Sequence, residues 1–194
     1  MMFEQPFSLA ASVGFISAIA LLVFGYKVYA FNRHRYSSLF QLPSVIVMGH
    51  GPSKTHVMSG LTKSGIVSYP SHDIDLSYLN VGNKTMQIID PKNMFINDRV
   101  DTERLNEVRR LNCKLLLYLF DLSRDSSSIS MQLNNFHKAV DTFGNIGYVP
   151  VATRLSDRKK LNSLRKRFDK LHEIYMDAED DFDKLRASIQ KQVN

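Results

Sequence analysis

The sequence predicts an α/β fold, in which one sheet has flanking helices, a single transmembrane helix precedes the sheet and a long charged helix follows it. Three observations support this prediction. The first is that Phe7 to Tyr26 contains no charged residue. The second is that short apolar runs, typical of buried strands, alternate with segments at helical spacing, as in sheets covered on both faces. The third is that helical spacing continues beyond Asp157 to the end of the chain.

The composition limits the classes of protein to which the chain can belong. The chain has 194 residues, of which 44% are hydrophobic, so the part beyond the apolar stretch suffices for one domain with its own core. Its one cysteine, Cys113, excludes an intrachain disulfide and starts an apolar run, which favours a core residue over a nucleophile. The net charge of +6 comes without a nucleic-acid-binding signature. We therefore expect an anionic membrane nearby and no direct contact with nucleic acid.

The apolar stretch from Phe7 to Tyr26 has the length of a membrane span, which needs about 20 apolar residues. A cleaved signal peptide is the alternative, because Val28-Tyr29-Ala30 resembles a cleavage site. The residues before the stretch include Glu4 and neither Lys nor Arg, and the stretch exceeds the apolar core of a signal peptide. A single-pass anchor is favoured.

Charge around this stretch predicts its orientation. Lys27, Arg33 and Arg35 follow it, whereas only Glu4 precedes it, so the rest of the chain should be cytosolic. The sequon at Asn83 makes this prediction testable, because a lumenal domain would be open to glycosylation there. A glycan on Asn83 would instead favour another hypothesis, in which the chain is a lumenal enzyme with the opposite topology.

The segment Ser44–Thr55, SVIVMGHGPSKT, predicts a strand, a tight turn and the start of a helix. Gly49 and Gly51 interrupt the apolar run, and Lys54-Thr55 opens the helical spacing. This is the context of a phosphate-binding loop, in which backbone amides and a helix N-terminus face the anion, a lysine contacts phosphates and a hydroxyl holds Mg²⁺.

The match to this loop is incomplete. The pattern G-x-x-x-x-G-K-S/T places its glycines at Met48 and Ser53, and only Lys54 and Thr55 stand in register. An ordinary turn between strand and helix is the alternative.

The remaining elements follow in alternation. Gly65–His72 is predicted to be a loop, and Ile74–Ile89 a hairpin that turns at Asn80–Asn83. The later elements are predicted to be a surface helix over Asp98–Asn112, a central strand over Leu115–Phe120, a helix over Ser126–Asn145 and a strand over Tyr148–Thr153.

The carboxyl ends of parallel strands meet at one edge of a sheet, where ligands bind. Four features should therefore converge there, namely the loop Gly49–Lys54, Asp90, Asp121 and the segment Thr153–Asp157.

This order of parts resembles the Arf-like branch of the small GTPases and, with the N-terminal anchor, the beta subunits of the signal recognition particle receptor. The resemblance extends from about Phe7 to Asp157 and implies a P-loop small-GTPase-like sheet. VIVMGHGPSKT is similar to the P-loop, SYPSHDID lies at the place of the first switch, IIDPKN is similar to the strand-end Asp-x-x-Gly motif, LLLYLFDLS resembles the next core strand, and VPVATRLSD occupies the place of the guanine motif.

The resemblance implies GTP and Mg²⁺ as cofactors. Lys54 would contact the β- and γ-phosphates, Thr55 would hold the metal, and Asp90 would support the metal through water. The implied nucleotide-binding residues are Gly49, Gly51, Ser53, Lys54, Thr55, Asp90, Arg154 and Asp157, with Thr55 and Asp90 also at the metal.

The chain departs from the family pattern at several of these motifs. Asn93 replaces the glycine of Asp-x-x-Gly, and either Ser68 or Ser71 stands for the switch hydroxyl. Asp157, one position late, replaces the guanine-reading carboxylate. No catalytic residue is predicted, because no Gln or His that could position water follows Asp90, so hydrolysis stays open.

The implied function is a GTP-binding subunit that tethers the receptor alpha subunit, or another cytosolic protein, at the endoplasmic reticulum membrane for cotranslational targeting. The alternative is a membrane adaptor that binds no nucleotide. Three parts are predicted: residues 1–36 as anchor and basic juxtamembrane segment, residues 37–157 as the GTPase-like domain, and residues 158–194 as one helix.

The predicted C-terminal helix carries apolar residues alternately three and four apart. Its first half is basic and its second half acidic, which opposes the helix macrodipole and suggests an antiparallel coiled coil with itself or a partner. The alternative is that this seam packs on the chain's own sheet. The seam comprises Leu161, Leu164, Phe168, Leu171, Tyr175, Ala178, Phe182, Leu185 and Ile189.

Overall fold

A computed structural model describes residues 17, 19–27, 42–49, 53–62, 65–70, 73–123, 126–155, 157–174 and 179–193. The chain forms two compact units, Met1–Gln41 and Leu42–Asn194. In the first unit residues 19–27 are helical, and their large apolar side chains are exposed. The described residues contain no helix that is both long and apolar enough to cross a membrane. Most of the predicted span Phe7–Tyr26 lies outside the described residues, as do Arg33 and Arg35.

The second unit is built on a seven-stranded sheet with the order β2-β3-β4-β1-β7-β8-β9, and β5 and β6 form a separate ribbon. The pairs β2–β3 and β3–β4 are antiparallel, while the other pairs in the sheet are parallel. The strands are β1 (Ser44–Gly49), β2 (Val67–Tyr69), β3 (Ile74–Val81), β4 (Lys84–Pro91), β5 (Phe95–Ile96), β6 (Arg99–Val100), β7 (Cys113–Asp121), β8 (Gly147–Thr153) and β9 (His172–Ile174).

Helices cover both faces of this sheet, so the predicted α/β architecture is confirmed. The helices are α1 (Ser53–Thr62), α2 (Thr102–Val108), α3 (Ser126–Phe143), α4 (Arg158–Arg165) and α5 (Glu179–Val193). The core between the sheet and the pair α1 and α5 includes Val57 and Leu185. The opposite face of β7 contacts α3 through Tyr118 and Phe120, whose rings pack with that of Phe136.

The predicted hairpin is confirmed, because β3 pairs with β4 from Ile74↔Pro91 to Val81↔Lys84. The predicted loop Gly65–His72 contains the short edge strand β2. The predicted surface helix is shorter than Asp98–Asn112 and begins at Thr102, because β5 and β6 occupy the preceding residues. Asp101 starts this helix by accepting hydrogen bonds from backbone amides in its first turn.

The prediction of one helix over residues 158–194 is wrong. The segment contains α4, then β9, which pairs with β8, and then α5. The apolar spacing of α4 and α5 continues in phase across the interruption, so the pattern alone did not reveal two helices. Phe182, Leu185 and Ile189 of α5 lie in the domain core, which confirms that this part of the seam packs on the chain's own sheet. Tyr175 and Ala178 lie outside the described residues.

Candidate functional site

The site begins with a lysine at the start of α1. Because β1 and β4 are adjacent and parallel, the helix that follows β1 starts beside the end of β4. Lys54 Nζ lies 2.6 Å from Oδ1 of Asp90, and the side chain of Asp90 is 1% exposed. The structure therefore brings together the two charged residues that the family resemblance assigned to phosphates and metal.

A second lysine and a second carboxylate extend this pair. Asp75 lies opposite Asp90 across the β3–β4 ladder. Lys92 Nζ is 2.5 Å from Oδ2 of Asp75 and 3.3 Å from Oδ2 of Asp90. Ser68, on β2, donates a hydrogen bond of 2.7 Å to Asp75. Two ammonium groups thus balance two carboxylates at the edge of the sheet.

The surroundings of Asp75 change its acidity. Burial alone would raise the pKa of this carboxyl, but hydrogen bonds from Lys92 and Ser68, together with the charges of Lys92 and Lys54, outweigh burial. The pKa of Asp75 is therefore below its usual value. For Lys92, burial opposes the charge, yet contacts with Asp75 and Asp90 raise the pKa of its ammonium. Both groups are charged at neutral pH.

Ser53 and Thr55 flank Lys54 in different surroundings. Ser53 is buried, and its Oγ accepts a hydrogen bond of 3.2 Å from the hydroxyl of Thr153. Thr55 is exposed. Thr55 is therefore accessible to solvent at the start of α1, whereas the hydroxyl of Ser53 is bonded at the end of β8.

Gly49 ends β1 in a conformation that favours glycine, with φ of 140°. A Cβ atom there would lie 2.4 Å from the backbone oxygen of Leu119 on β7. Glycine therefore allows β1 and β7 to approach each other just before the loop. Gly51 lies outside the described residues, and so does Ser71.

Asn93, which replaces the glycine of the strand-end motif, has φ of 55°. Asparagine adopts this left-handed conformation more readily than most other residues. The left-handed turn at Asn93 is therefore compatible with an asparagine side chain.

The ends of β7 and β8 form the other half of the site. Asp121 is buried and accepts hydrogen bonds from the amide and hydroxyl of Ser123, at 3.0 and 2.6 Å. Arg154 Nη1 lies 3.7 Å from Oδ2 of Asp121 and 3.4 Å from Oγ of Ser123. The sequence pointed to Arg154 and to the strand end at Asp121, but the role of Ser123 was not predicted. Its turn with Asp121 is local, and only its contact with Arg154 joins residues distant in the chain.

Asp157 is the N-cap of α4. Its Oδ1 accepts hydrogen bonds from the amides of Lys159 and Lys160, at 2.9 and 3.2 Å. These bonds to the carboxylate, chiefly that from Lys160, hold the pKa of Asp157 below its usual value. An aspartate directly before a helical segment is the usual signal of an N-cap, and this signal was available in the sequence. If Asp157 recognised guanine, the same carboxylate would also have to accept the hydrogen bonds that cap α4.

The side chains of this site are better suited to bind the phosphates and metal of a nucleotide than its base. Protein Mg²⁺ sites commonly use one or two side chains together with substrate phosphates. Thr55 could supply such a ligand, with Asp90 acting on the metal through water, and Lys54 lies at a helix N-terminus suited to an anion. The described residues contain no group of three His, Cys, Asp or Glu side chains suited to hold a metal without a nucleotide.

The sequence matches no protein-family model and no curated protein. Solved structures of GTP-binding proteins do match the fold. Nucleolar GTP-binding protein 1 from Plasmodium falciparum has a TM-score of 0.59 and 16% identity, over 77% of this chain and 87% of that one. The chain has a small-GTPase-like fold. A bacterial selenocysteine-specific elongation factor matches with a TM-score of 0.55 and 15% identity, over 78% of this chain but only 28% of that one.

Proposed function

We propose that the chain is a membrane-anchored, divergent GTP-binding subunit of the kind found in the signal recognition particle receptor. One observation carries the proposal. Lys54, at the start of the helix after β1, meets the buried carboxylate of Asp90 at the end of β4. Phosphate-binding sites of this fold need a lysine and a carboxylate in this position, near the phosphates and their metal.

GTP binding would exchange the partners of these residues. The ammonium of Lys54 would turn from Asp90 towards the β- and γ-phosphates, the hydroxyl of Thr55 would hold Mg²⁺, and Asp90 would support the metal through water. Lys92, which contacts both Asp75 and Asp90, would keep part of the charge of Asp90 balanced. Mg²⁺ would neutralise charge on the phosphates.

We propose that bound GTP supports assembly rather than rapid turnover. The residues after Asp90 are Pro91, Lys92 and Asn93, and none of them is a Gln or His that could position a water. The nucleotide would then stabilise the surface that holds a cytosolic partner, the receptor alpha subunit in the implied function.

Membrane anchoring is the second part of the proposal. The described part of the apolar stretch is helical and exposes Leu21, Leu22 and Phe24, whose burial in a bilayer would be favourable. The basic residues that follow favour a cytosolic domain. The endoplasmic reticulum membrane is the location that the resemblance to the receptor subunit implies.

Glycosylation tests this topology. Asn83 is exposed in the turn between β3 and β4, so its sequon is sterically open. In microsomes, the full chain should carry no glycan at Asn83, while a sequon-bearing tag fused before Met1 should be modified. A glycosidase-sensitive mass shift that disappears in Asn83→Gln would reverse the proposed orientation.

Nucleotide selectivity tests the GTP-binding part. We expect the full chain in detergent to bind Mg²⁺-GTP and GDP more tightly than Mg²⁺-ATP, measured by calorimetric titration. Asp157→Asn keeps an N-cap side chain but loses the charge that would read guanine. Equal loss of GTP and ATP binding in this variant would exclude Asp157 as the guanine reader.

The adaptor that binds no nucleotide is a second candidate, and one observation favours it. Lys54 and Lys92 are already balanced by Asp75 and Asp90 without a ligand. Under this candidate the ion-pair network stabilises the fold, and folded protein gives no binding heat with any nucleotide.

A further inference from the structure

The edge of the sheet opposite the candidate site collects the segments that precede the parallel strands. There is one such segment for each of four strands. The segments are residues 82–84 at the start of β4, 109–114 at the start of β7, 144–147 leading into β8 and 166–171 leading into β9. The end of α5 lies at the same edge, because a Cβ atom on Gly147 would be 2.9 Å from the side-chain oxygen of Gln192.

These segments are strongly basic. Together with residues 190–193 they contain eight Lys or Arg and one acidic residue, Asp169. Residues 42–194 as a whole contain 22 Lys and Arg against 18 Asp and Glu, so the rest of the domain has a net negative charge. The eight cations, which we call the basic edge, are Lys84, Arg109, Arg110, Lys114, Lys166, Arg167, Lys170 and Lys191.

The cations of the basic edge are available to a ligand. All eight are exposed. None of them forms an ion pair with another described residue, whereas the lysines of the candidate site and Arg165 and Arg186 all have acidic partners. A surface that keeps so many charges unpaired is suited to an anionic partner.

A groove of about 430 Å³ opens in the basic edge. Its floor is the first half of β8, because β9 pairs only with Val151 to Thr153 and leaves that side of Gly147 to Pro150 open. Tyr148 is 42% exposed there. Burial lowers the pKa of His172, which favours the neutral imidazole. The charged residues that line the groove are the cations Arg167, Lys170 and Lys191 and one acid, Asp169.

We propose that the basic edge binds the anionic headgroups of membrane lipids and that the groove holds one of them. The connection between the domain and residues 1–41, which we call the tether, favours a membrane over other anionic partners, because residues 1–41 contain the proposed anchor. This tether joins the domain at the start of β1, which lies between β4 and β7 and hence among the cations. An anionic bilayer surface contributes about 1 kcal/mol, or roughly fivefold in binding, for each Lys or Arg that it meets.

This orientation has a consequence for the candidate site. The parallel strands run from the basic edge to the edge where their carboxyl ends meet, and the six residues of β1 span roughly 20 Å. A domain that lies on the bilayer by its basic edge would present Lys54 and Asp90 to the cytosol. The inference rests on the anchor of the proposed function, but its test has a separate readout.

Hydrogen exchange on the full chain in vesicles tests the inference. The vesicles are phosphatidylcholine, with or without phosphatidylserine as about one lipid in three. We expect amides of residues 109–114 and 166–171 to exchange at least about threefold more slowly with phosphatidylserine, and this difference to vanish at about 0.5 M salt. Equal exchange in both vesicles at low salt would overturn the inference.

Charge-reversed variants separate the basic edge from charge in general. Arg167→Glu/Lys170→Glu/Lys191→Glu should abolish the slowing by phosphatidylserine. The matched control Arg99→Glu/Lys159→Glu/Lys184→Glu reverses three exposed cations elsewhere and should retain it. Loss of the slowing in both variants to the same extent would contradict a localised site.

Two further experiments test the membrane anchor by itself and RNA as a competing partner. Flotation with pure phosphatidylcholine tests the anchor alone, so its failure would refute anchoring, while the response to phosphatidylserine still decides the basic edge. Titration with a short RNA tests the competing partner. RNA binding that only the edge variant loses, without any response to phosphatidylserine, would overturn the inference in favour of nucleic acid.

Discussion

Lys54 Nζ and Asp90 Oδ1 are 2.6 Å apart, and their side chains are 16% and 1% exposed. The pair joins the start of α1 to the end of β4, the position at which a nucleotide-binding domain holds phosphates and metal. In this protein the ion pair itself neutralises the lysine when no ligand is bound. If a nucleotide binds as proposed, it would therefore exchange one set of charge interactions for another.

Asp90→Asn should destabilise the fold by about 2–3 kcal/mol, because removal of one member leaves a poorly solvated charge behind. Lys54→Met should destabilise the fold less than Asp90→Asn does, since Lys92 still contacts Asp90. Urea unfolding of both single variants and the double variant gives the coupling energy, expected at roughly 1–2 kcal/mol. The exposed pair Arg104–Glu107 is the control, and Glu107→Gln should cost less than about 0.5 kcal/mol. A coupling energy near zero would mean that the pair contributes nothing to stability.

The stability of the domain should fall as the pH drops below 4. The pKa of Asp75 is lower in the folded state than in the unfolded state, so its contribution is complete above the unfolded value, about 3.9, and is lost as the pH falls through the folded value. Ser68→Ala removes a hydrogen bond to the charged carboxylate and should raise the pKa of Asp75. NMR titration of this carboxyl in both proteins measures the difference, and an unchanged pKa would exclude the Ser68 contact.

The contact between α1 and α5 depends on Gly60. A Cβ atom there would lie 2.4 Å from the ring of Phe182, so Gly60→Ala should force the helices apart and cost about 1–3 kcal/mol. Gly65→Ala is the control, because a Cβ there meets nothing within 4 Å. Phe182→Leu in the Gly60→Ala background should recover part of the loss in thermal unfolding. Similar midpoints for both alanine variants would show that the helices tolerate the added methyl group.

Local patterns predicted the parts of the fold that depend on neighbours in sequence. The apolar run at Leu115–Phe120 predicted a central strand, and Asn80–Asn83 predicted the hairpin turn, as the structure confirms. Strand direction also placed Lys54 and Asp90 at one edge.

The errors arose where distant contacts decide the structure. β9 exists because its three residues pair with β8, although the spacing around it is helical. The contacts of Lys92 with Asp75 and of Arg154 with Asp121 join residues on different elements, so no local pattern predicts them. Pro150 is tolerated in β8 because β9 pairs only with the residues after it.

Calorimetric titration of the full chain with Mg²⁺-GTP, compared with Lys54→Ala, tests the central claim most directly. Lys159→Ala is the matched control, because Lys159 is exposed on α4 and only its backbone amide contacts Asp157. We predict that Lys54→Ala weakens binding at least about tenfold, or 1.4 kcal/mol, while the control binds like the wild type. Equal GTP affinity in all three proteins, or no binding by folded wild-type protein, would contradict a phosphate site at Lys54.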